Sequence, residues 1–170
     1  MSTDPTPHAL GPEGGEALWW SGALLTVKAT AEQTGGEFFL IEEFVRRGTA
    51  PPLHVHPHDD ETFYVLEGEL TFYLGDGQTV PSETVPASAG SFLHIPKGYF
   101  PHAFRVNSET ARFLVRTTPW HEQFFRASAE PARSRTLPSL EPLDMEKVQA
   151  AAAEYGVEIL GPPPGAQPQP

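Results

Sequence analysis

The sequence contains no cysteine. That removes disulfides, thiolate metal sites, cysteine nucleophiles and iron–sulfur clusters together. Positive charge is scarce: 11 Lys and Arg stand against 22 Asp and Glu, a formal net charge of −11. This speaks against a nucleic-acid backbone or an anionic membrane surface as the main partner. Long apolar runs are missing as well. The best, Leu18 to Val27, contains Ser21, Gly22 and Thr26 and is about half the length a spanning helix requires. The opening Met1-Ser-Thr-Asp-Pro shows no basic and apolar leader, so a cytoplasmic protein is expected. No internal repeat and no long charge run interrupts the 170 residues, which suit one domain with a sizeable core.

What the chain has in excess is turn chemistry. Its 15 Gly and 19 Pro make about a fifth of the residues, against roughly an eighth on average. Between them lie short runs rich in β-branched and aromatic residues: Ala23-Leu-Leu-Thr-Val-Lys-Ala-Thr, Phe38-Phe-Leu-Ile-Glu-Glu-Phe-Val, Thr62-Phe-Tyr-Val-Leu and Glu69-Leu-Thr-Phe-Tyr-Leu. Ala111, Phe113 and Val115 fall on one face of a strand while Arg112 and Arg116 fall on the other. Short strands with turns between them predict an all-β sandwich or barrel. Residues 1–17, rich in Pro, Gly and Glu, read as a loose arm, 18–125 as the barrel, 126–160 as a connector with a helix, and 161–170 as a disordered tail. The helix is expected over Met145–Tyr155. Asp144 is its cap, Leu143 and Val148 form a hydrophobic staple, and Gly156 is the terminating residue. Val157–Leu160 can dock as one more extended piece.

One stretch carries chemistry. His54 and His56 are two apart, so on a strand both imidazoles leave the same face. Pro57 to Asp60 is turn chemistry, which lets Glu61 open the next strand beside them. A later strand at His102 can bring a third imidazole to the same point. Three nitrogens and a carboxylate suit Ni, Fe, Co, Mn or Zn and leave positions open for water, substrate or dioxygen.

Gly48, His54, His56, Glu61 and Gly68 match every fixed position of the first motif of the cupin superfamily, G(X)5HXH(X)3,4E(X)6G. The second motif, G(X)5PXG(X)2H(X)3N, resembles Gly90-Ser-Phe-Leu-His-Ile-Pro96-Lys-Gly98 followed by His102 and Asn107. There is one extra residue before His102 and Asn107 lies one place late. The later text, from Pro101-His102-Ala-Phe through Thr-Thr-Pro-Trp-His-Glu-Gln-Phe-Phe125 to the Pro-rich end, resembles bacterial quercetinases, the flavonol 2,3-dioxygenases.

The resemblance implies a small double-stranded β-helix, a barrel of two antiparallel sheets, with His54, His56, Glu61 and His102 as metal ligands. It also implies a small-molecule aromatic substrate and dioxygen as the partners of the site. On that resemblance the substrate's ring hydroxyl would bind the metal, Glu61 would have two possible roles, ligand and base, and dioxygen would cleave the ring with loss of carbon monoxide. Two other readings stay open: a non-catalytic metal cupin that binds a small molecule, and a cupin isomerase or lyase. Cupins commonly pair, and the aromatic Leu18-Trp-Trp20 needs cover, so a homodimer is expected unless the chain covers that segment itself. His58 reads as a surface residue, His94 as a packed or edge residue, and His8 and His121 as solvent residues. Phe72, Phe104, Phe113 and Tyr64 suit core and pocket wall equally, and Glu67 reads as a hairpin residue.

Overall fold

A computed structural model describes residues 7–76, 81–139 and 143–164. The first six residues of the expected arm, and residues 165–170 of the expected tail, lie outside the described residues. Ten strands precede the first helix: β1 Ala17–Trp20, β2 Ala23–Ala29, β3 Phe39–Arg46, β4 Leu53–His56, β5 Glu61–Glu67, β6 Glu69–Leu74, β7 Glu83–Ser88, β8 Phe92–Ile95, β9 Gly98–Val106 and β10 Thr110–Thr117. Then come α1 His121–Ser128, β11 Glu130–Pro131, α2 Met145–Tyr155 and β12 Glu158–Gly161. One sheet has the order β11-β1-β2-β3-β10-β5-β8 and the other β12-β4-β9-β6-β7. All pairings are antiparallel. The architecture is the expected all-β barrel with a C-terminal helix, and α1 is an addition to it. No helix among the described residues is long and apolar enough to cross a membrane.

The barrel interior follows from alternation. In β3, Phe39, Ile41, Glu43 and Val45 are buried while the residues between them are half-exposed, the period of two that a strand imposes. Its neighbour β10 turns Ala111, Phe113 and Val115 inward, opposite Val45, Glu43 and Ile41. Between the sheets Phe63, Phe72, Phe104 and Phe113 meet at tilted or edge-on angles with ring centroids 5.0–6.3 Å apart. Each such buried ring contributes about 1.5–3 kcal/mol. Tyr64, on the outer face of β5, is exposed.

The ends of the chain close one mouth of this barrel. β1 pairs with β2 and β11, Leu18 is buried, and the Trp20 indole lies edge-on to Phe124 and Phe125 at 6.1 and 5.6 Å. The aromatic segment is therefore covered within the chain, and it no longer argues for a second subunit. On α2, Asp144 accepts a hydrogen bond from the Lys147 amide at 3.0 Å, and Gly156 ends the helix at φ 75°. Val148 is buried and Leu143 packs against the core, where the staple requires them. The piece after the helix adds β12 to the edge of β4.

Gly68, at the β5–β6 turn, has φ 85°, and a Cβ there would sit 2.4 Å from the Thr110 carbonyl oxygen and 2.8 Å from the Ala111 Cα. Both obstacles are backbone, so they cannot rotate away. Gly68→Ala is expected to lower stability by more than about 1 kcal/mol. The check is a lower urea midpoint at unchanged slope; an unchanged midpoint would show that the turn relaxes without cost.

Candidate metal centre

β4 and β9 are neighbours, and His54 lies opposite His102. The register then shifts, so that His56 pairs with Gly98. A step of two residues on β4 is matched by a step of four on β9. The extra residue between Gly98 and His102 is absorbed in this bulge, and His102 keeps its place at the cluster. Glu61 is brought back by the turn after His56. There the Asp60 side chain accepts from the Lys97 amide at 2.8 Å, and its carbonyl accepts from the Thr118 amide at 3.2 Å.

The four sequence-predicted residues come together. The three imidazole centroids are 4.4–5.0 Å apart. Glu61 Oε2 lies 3.0 Å from His102 Nε2 and 3.7 Å from His56 Nε2, and one donor atom from each of the four residues falls within 4.8 Å of the others. Two of the rings are fixed from behind: His54 Nδ1 donates to the Pro52 carbonyl at 2.7 Å and His102 Nδ1 to the Phe100 carbonyl at 2.8 Å. For His54 a proton held on Nδ1 leaves Nε2 as a free lone pair, whereas His102 Nε2 shares a hydrogen bond with Glu61.

Burial, and next the facing His102, push His54 down to about 3. Burial and then the His121, His54 and His102 rings hold His56 well below its ordinary value. Burial pushes Glu61 up, but the hydrogen bond and charge of His102, with His121 and His54 behind them, outweigh it and hold the carboxyl below its usual value. His54 and His56 are thus neutral and Glu61 ionised at neutral pH. His56 tests whether such a set fits a metal. Both its ring nitrogens are buried and have no hydrogen-bond partner, each at a cost of about 1–3 kcal/mol if nothing takes it up. A divalent transition metal would take up one of them, and imidazole and carboxylate are the donors that Zn, Fe, Co, Ni and Mn accept.

Three nearby residues were not legible as site residues. His121, expected in solvent, is 1% exposed and stands edge-on to His56 at 4.4 Å. The buried stripe of α1, His121, Phe124, Phe125 and Ser128, has helical spacing and was the available signal. Asp59, within the turn, is buried; its Oδ2 lies 3.6 Å from His121 Nδ1, and Thr118 donates its hydroxyl to the other oxygen. Burial pushes Asp59 up, but the nearby His121 ring and the hydroxyl of Thr118 hold it below its usual value. The third is Glu43, a lone carboxyl at an inward position of β3. His58 and His94 are exposed, His94 beside the Thr62 hydroxyl at 3.0 Å, and His8 is exposed as expected.

The cluster forms one wall of a mainly apolar cavity whose other walls include Trp20, Glu43, Phe63, Phe72, Phe124 and Phe125. Phe72 and Phe104 serve as both core and wall, whereas Phe113 is core. The cavity has a volume of about 40 Å³, room for a few water molecules.

Residues 40–116 match the family model described as Cupin domain. A quercetin 2,3-dioxygenase of Bacillus subtilis is 29% identical over 133 residues, covering 78% of this chain and 37% of the relative. The chain thus spans little more than a third of that relative's length. Among solved structures, a predicted oxalate decarboxylase of Thermotoga maritima superposes with a TM-score of 0.57 at 16% identity, over 65% of this chain and 98% of the other. A sugar phosphate isomerase of Silicibacter pomeroyi gives 0.55 at 21% identity, over 65% and 75%. Identity this low speaks for the fold alone. Motif, two-sheet barrel and family match converge: residues 40–116 are a cupin domain, in a chain that resembles quercetin 2,3-dioxygenase.

Proposed function

We propose that the chain is a metal-dependent dioxygenase acting on a flavonol or a related enolic aromatic. In this reading His54, His56, Glu61 and His102 are the metal ligands. The observation that carries it is the pair of orphaned, buried His56 nitrogens beside two imidazoles whose Nδ1 atoms are tied to backbone carbonyls. A bound divalent metal supplies Lewis acidity, lowering the pKa of a hydroxyl placed on it. The chain's own residues do the rest. The Pro52 carbonyl fixes the tautomer of His54, and the Phe100 carbonyl fixes the orientation of His102. Glu61, ionised and held by His102, accepts the proton that an enolic hydroxyl releases. Phe63, Phe72, Phe124 and Phe125 exclude water and present ring faces to an aromatic substrate. A cytoplasmic location and a homodimer belong to the same proposal, the dimer now on family grounds alone.

The small cavity favours a second reading, a cupin that binds or isomerises a ligand smaller than a flavonol. A flavonol enters only if side chains at the mouth turn. Aerobic incubation of metal-loaded protein with quercetin separates the two: the dioxygenase bleaches the visible flavonol band while consuming oxygen, and binding or isomerisation consumes none.

Three outcomes test the assignment. His56→Ala is expected to drop bound metal from about one equivalent per chain to near none by elemental analysis, with the circular dichroism of the strands retained. Unchanged metal content overturns the ligand set. Glu61→Gln, reconstituted to full metal occupancy, is expected to bind the flavonol but to cleave it at least about a hundredfold more slowly; a retained rate places the base elsewhere. Light scattering at micromolar concentration is expected to give twice the chain mass, and a monomer overturns the dimer.

A further inference from the structure

Glu43 has no place in the chemistry above, and its position is costly. It is 4% exposed on the inner face of β3, between Ile41 and Val45 along the strand and beside Leu25 and Phe113 across it, all four fully buried. Its carboxyl makes no hydrogen bond or ion pair with any described residue. Burying a carboxyl without a partner costs roughly 2–7 kcal/mol even when neutral. Nothing in the packing repays that. Its side chain does, however, line the same cavity as the histidine cluster.

We propose that Glu43 is a second polar anchor of the pocket, hydrogen-bonding an oxygen of the ligand remote from the oxygen taken at His54, His56, Glu61 and His102. This rests on reading that cluster as the site where an oxygen of the substrate binds. β10 lies between β3 and β5, and through it Glu43 stands opposite Val65, four residues along β5 from Glu61, so the two carboxyls spring from backbones roughly 16 Å apart. A ligand that reaches both carries oxygen functions on well-separated positions of a ring system. That selects a polyhydroxylated aromatic over a monohydroxylated one. Burial, with the charge of Glu61 behind it, pushes the Glu43 carboxyl up to about 8. At neutral pH it is therefore largely protonated, and offers the ligand both an O–H donor and a C=O acceptor. Inside an apolar wall such a group discriminates strongly, because a ligand lacking the matching oxygen leaves it unpaired.

The test uses full-length, metal-loaded protein and two probes, quercetin and 3-hydroxyflavone, which share the enolic hydroxyl and differ in the remote ones. Wild type is expected to bind quercetin at least about tenfold more tightly. Glu43→Leu is expected to bring the two affinities together by weakening quercetin alone, and Glu43→Gln, which keeps a donor and an acceptor, to retain most of the preference. An unchanged ratio in Glu43→Leu overturns the inference. The melting temperature gives an independent arm, since a residue kept for a ligand and not for the fold should leave a more stable protein when replaced by leucine. A higher melting temperature for ligand-free Glu43→Leu supports the anchor, and a lower one assigns Glu43 to the fold and overturns it. If wild type binds neither probe, the flavonol reading fails by itself, and the melting temperature still decides whether Glu43 is held for a ligand.

Discussion

An imidazole has two nitrogens, and in this barrel the destination of one decides the use of the other. The Pro52 and Phe100 carbonyls take the Nδ1 protons of His54 and His102 at 2.7 and 2.8 Å. Each ring is thereby fixed in orientation with its Nε2 facing the same volume; that of His54 is a free lone pair, and that of His102 meets Glu61 at 3.0 Å. Charged, these rings would repel one another at centroid separations of 4.4–5.0 Å; burial keeps His54 and His56 neutral. The neutrality of His54 and His56 is what lets them share a pocket with a third imidazole, and it is also what a metal would require of them. One backbone carbonyl at the entrance to β4 and one on its neighbour β9 therefore orient the rings of the centre.

Those carbonyls are in place because the strands are. The register shift between His54 and His56 takes up the surplus length of β9 and keeps His102 opposite His54 where a plain ladder would have carried it past. The short turn returns Glu61 to the cluster because Asp60 is tied on two sides, to Lys97 and Thr118. Beneath the cluster the phenylalanine layer of Phe63, Phe72 and Phe104 fills the barrel and floors the cavity. Above it β1, α1, α2 and β12 bring Trp20, His121, Val148 and Ile159 over the mouth. The polar end is thus affordable only because the other end is densely apolar.

What was legible in the sequence was whatever depends on local spacing. His54 and His56 share a face because strand side chains repeat every two residues, and the glycines of the first motif mark the turns on either side. The cap, staple and terminator of α2 could be read one residue at a time, for each acts within a few positions of itself. His121 and Asp59 could not. They meet across 62 positions, Asp59 Oδ2 lying 3.6 Å from His121 Nδ1 between a turn and a helix, and nothing in either segment alone announces the other. The N-terminal aromatics misled in a different way: their need for cover was plain, but whether the cover came from Phe124 and Phe125 or from another subunit is a tertiary fact. The extra residue before His102 raised the same difficulty, since a strand can hide an insertion in a bulge only if its partner permits the shift.

The two inward carboxylates show how far environment outruns residue type. Glu61 and Glu43 are the same side chain, both nearly fully buried and both lining one cavity. Burial raises the pKa of each. For Glu61 the bonded imidazole of His102 outweighs it, and the group stays ionised. Glu43 has only apolar neighbours and the repulsion of Glu61, so its proton is retained up to about pH 8. One barrel therefore holds an acceptor-only carboxylate beside the histidines and a neutral carboxylic acid on the wall, as far apart in hydrogen bonding as an acceptor and a donor. The separation follows from topology: β10, contributing Phe113 and Val115 to the interior, stands between the strands that carry them. Had Glu43 lain on the strand next to β5, the histidines that ionise Glu61 would have ionised it too, and the pocket would have a single polar pole where it now has two.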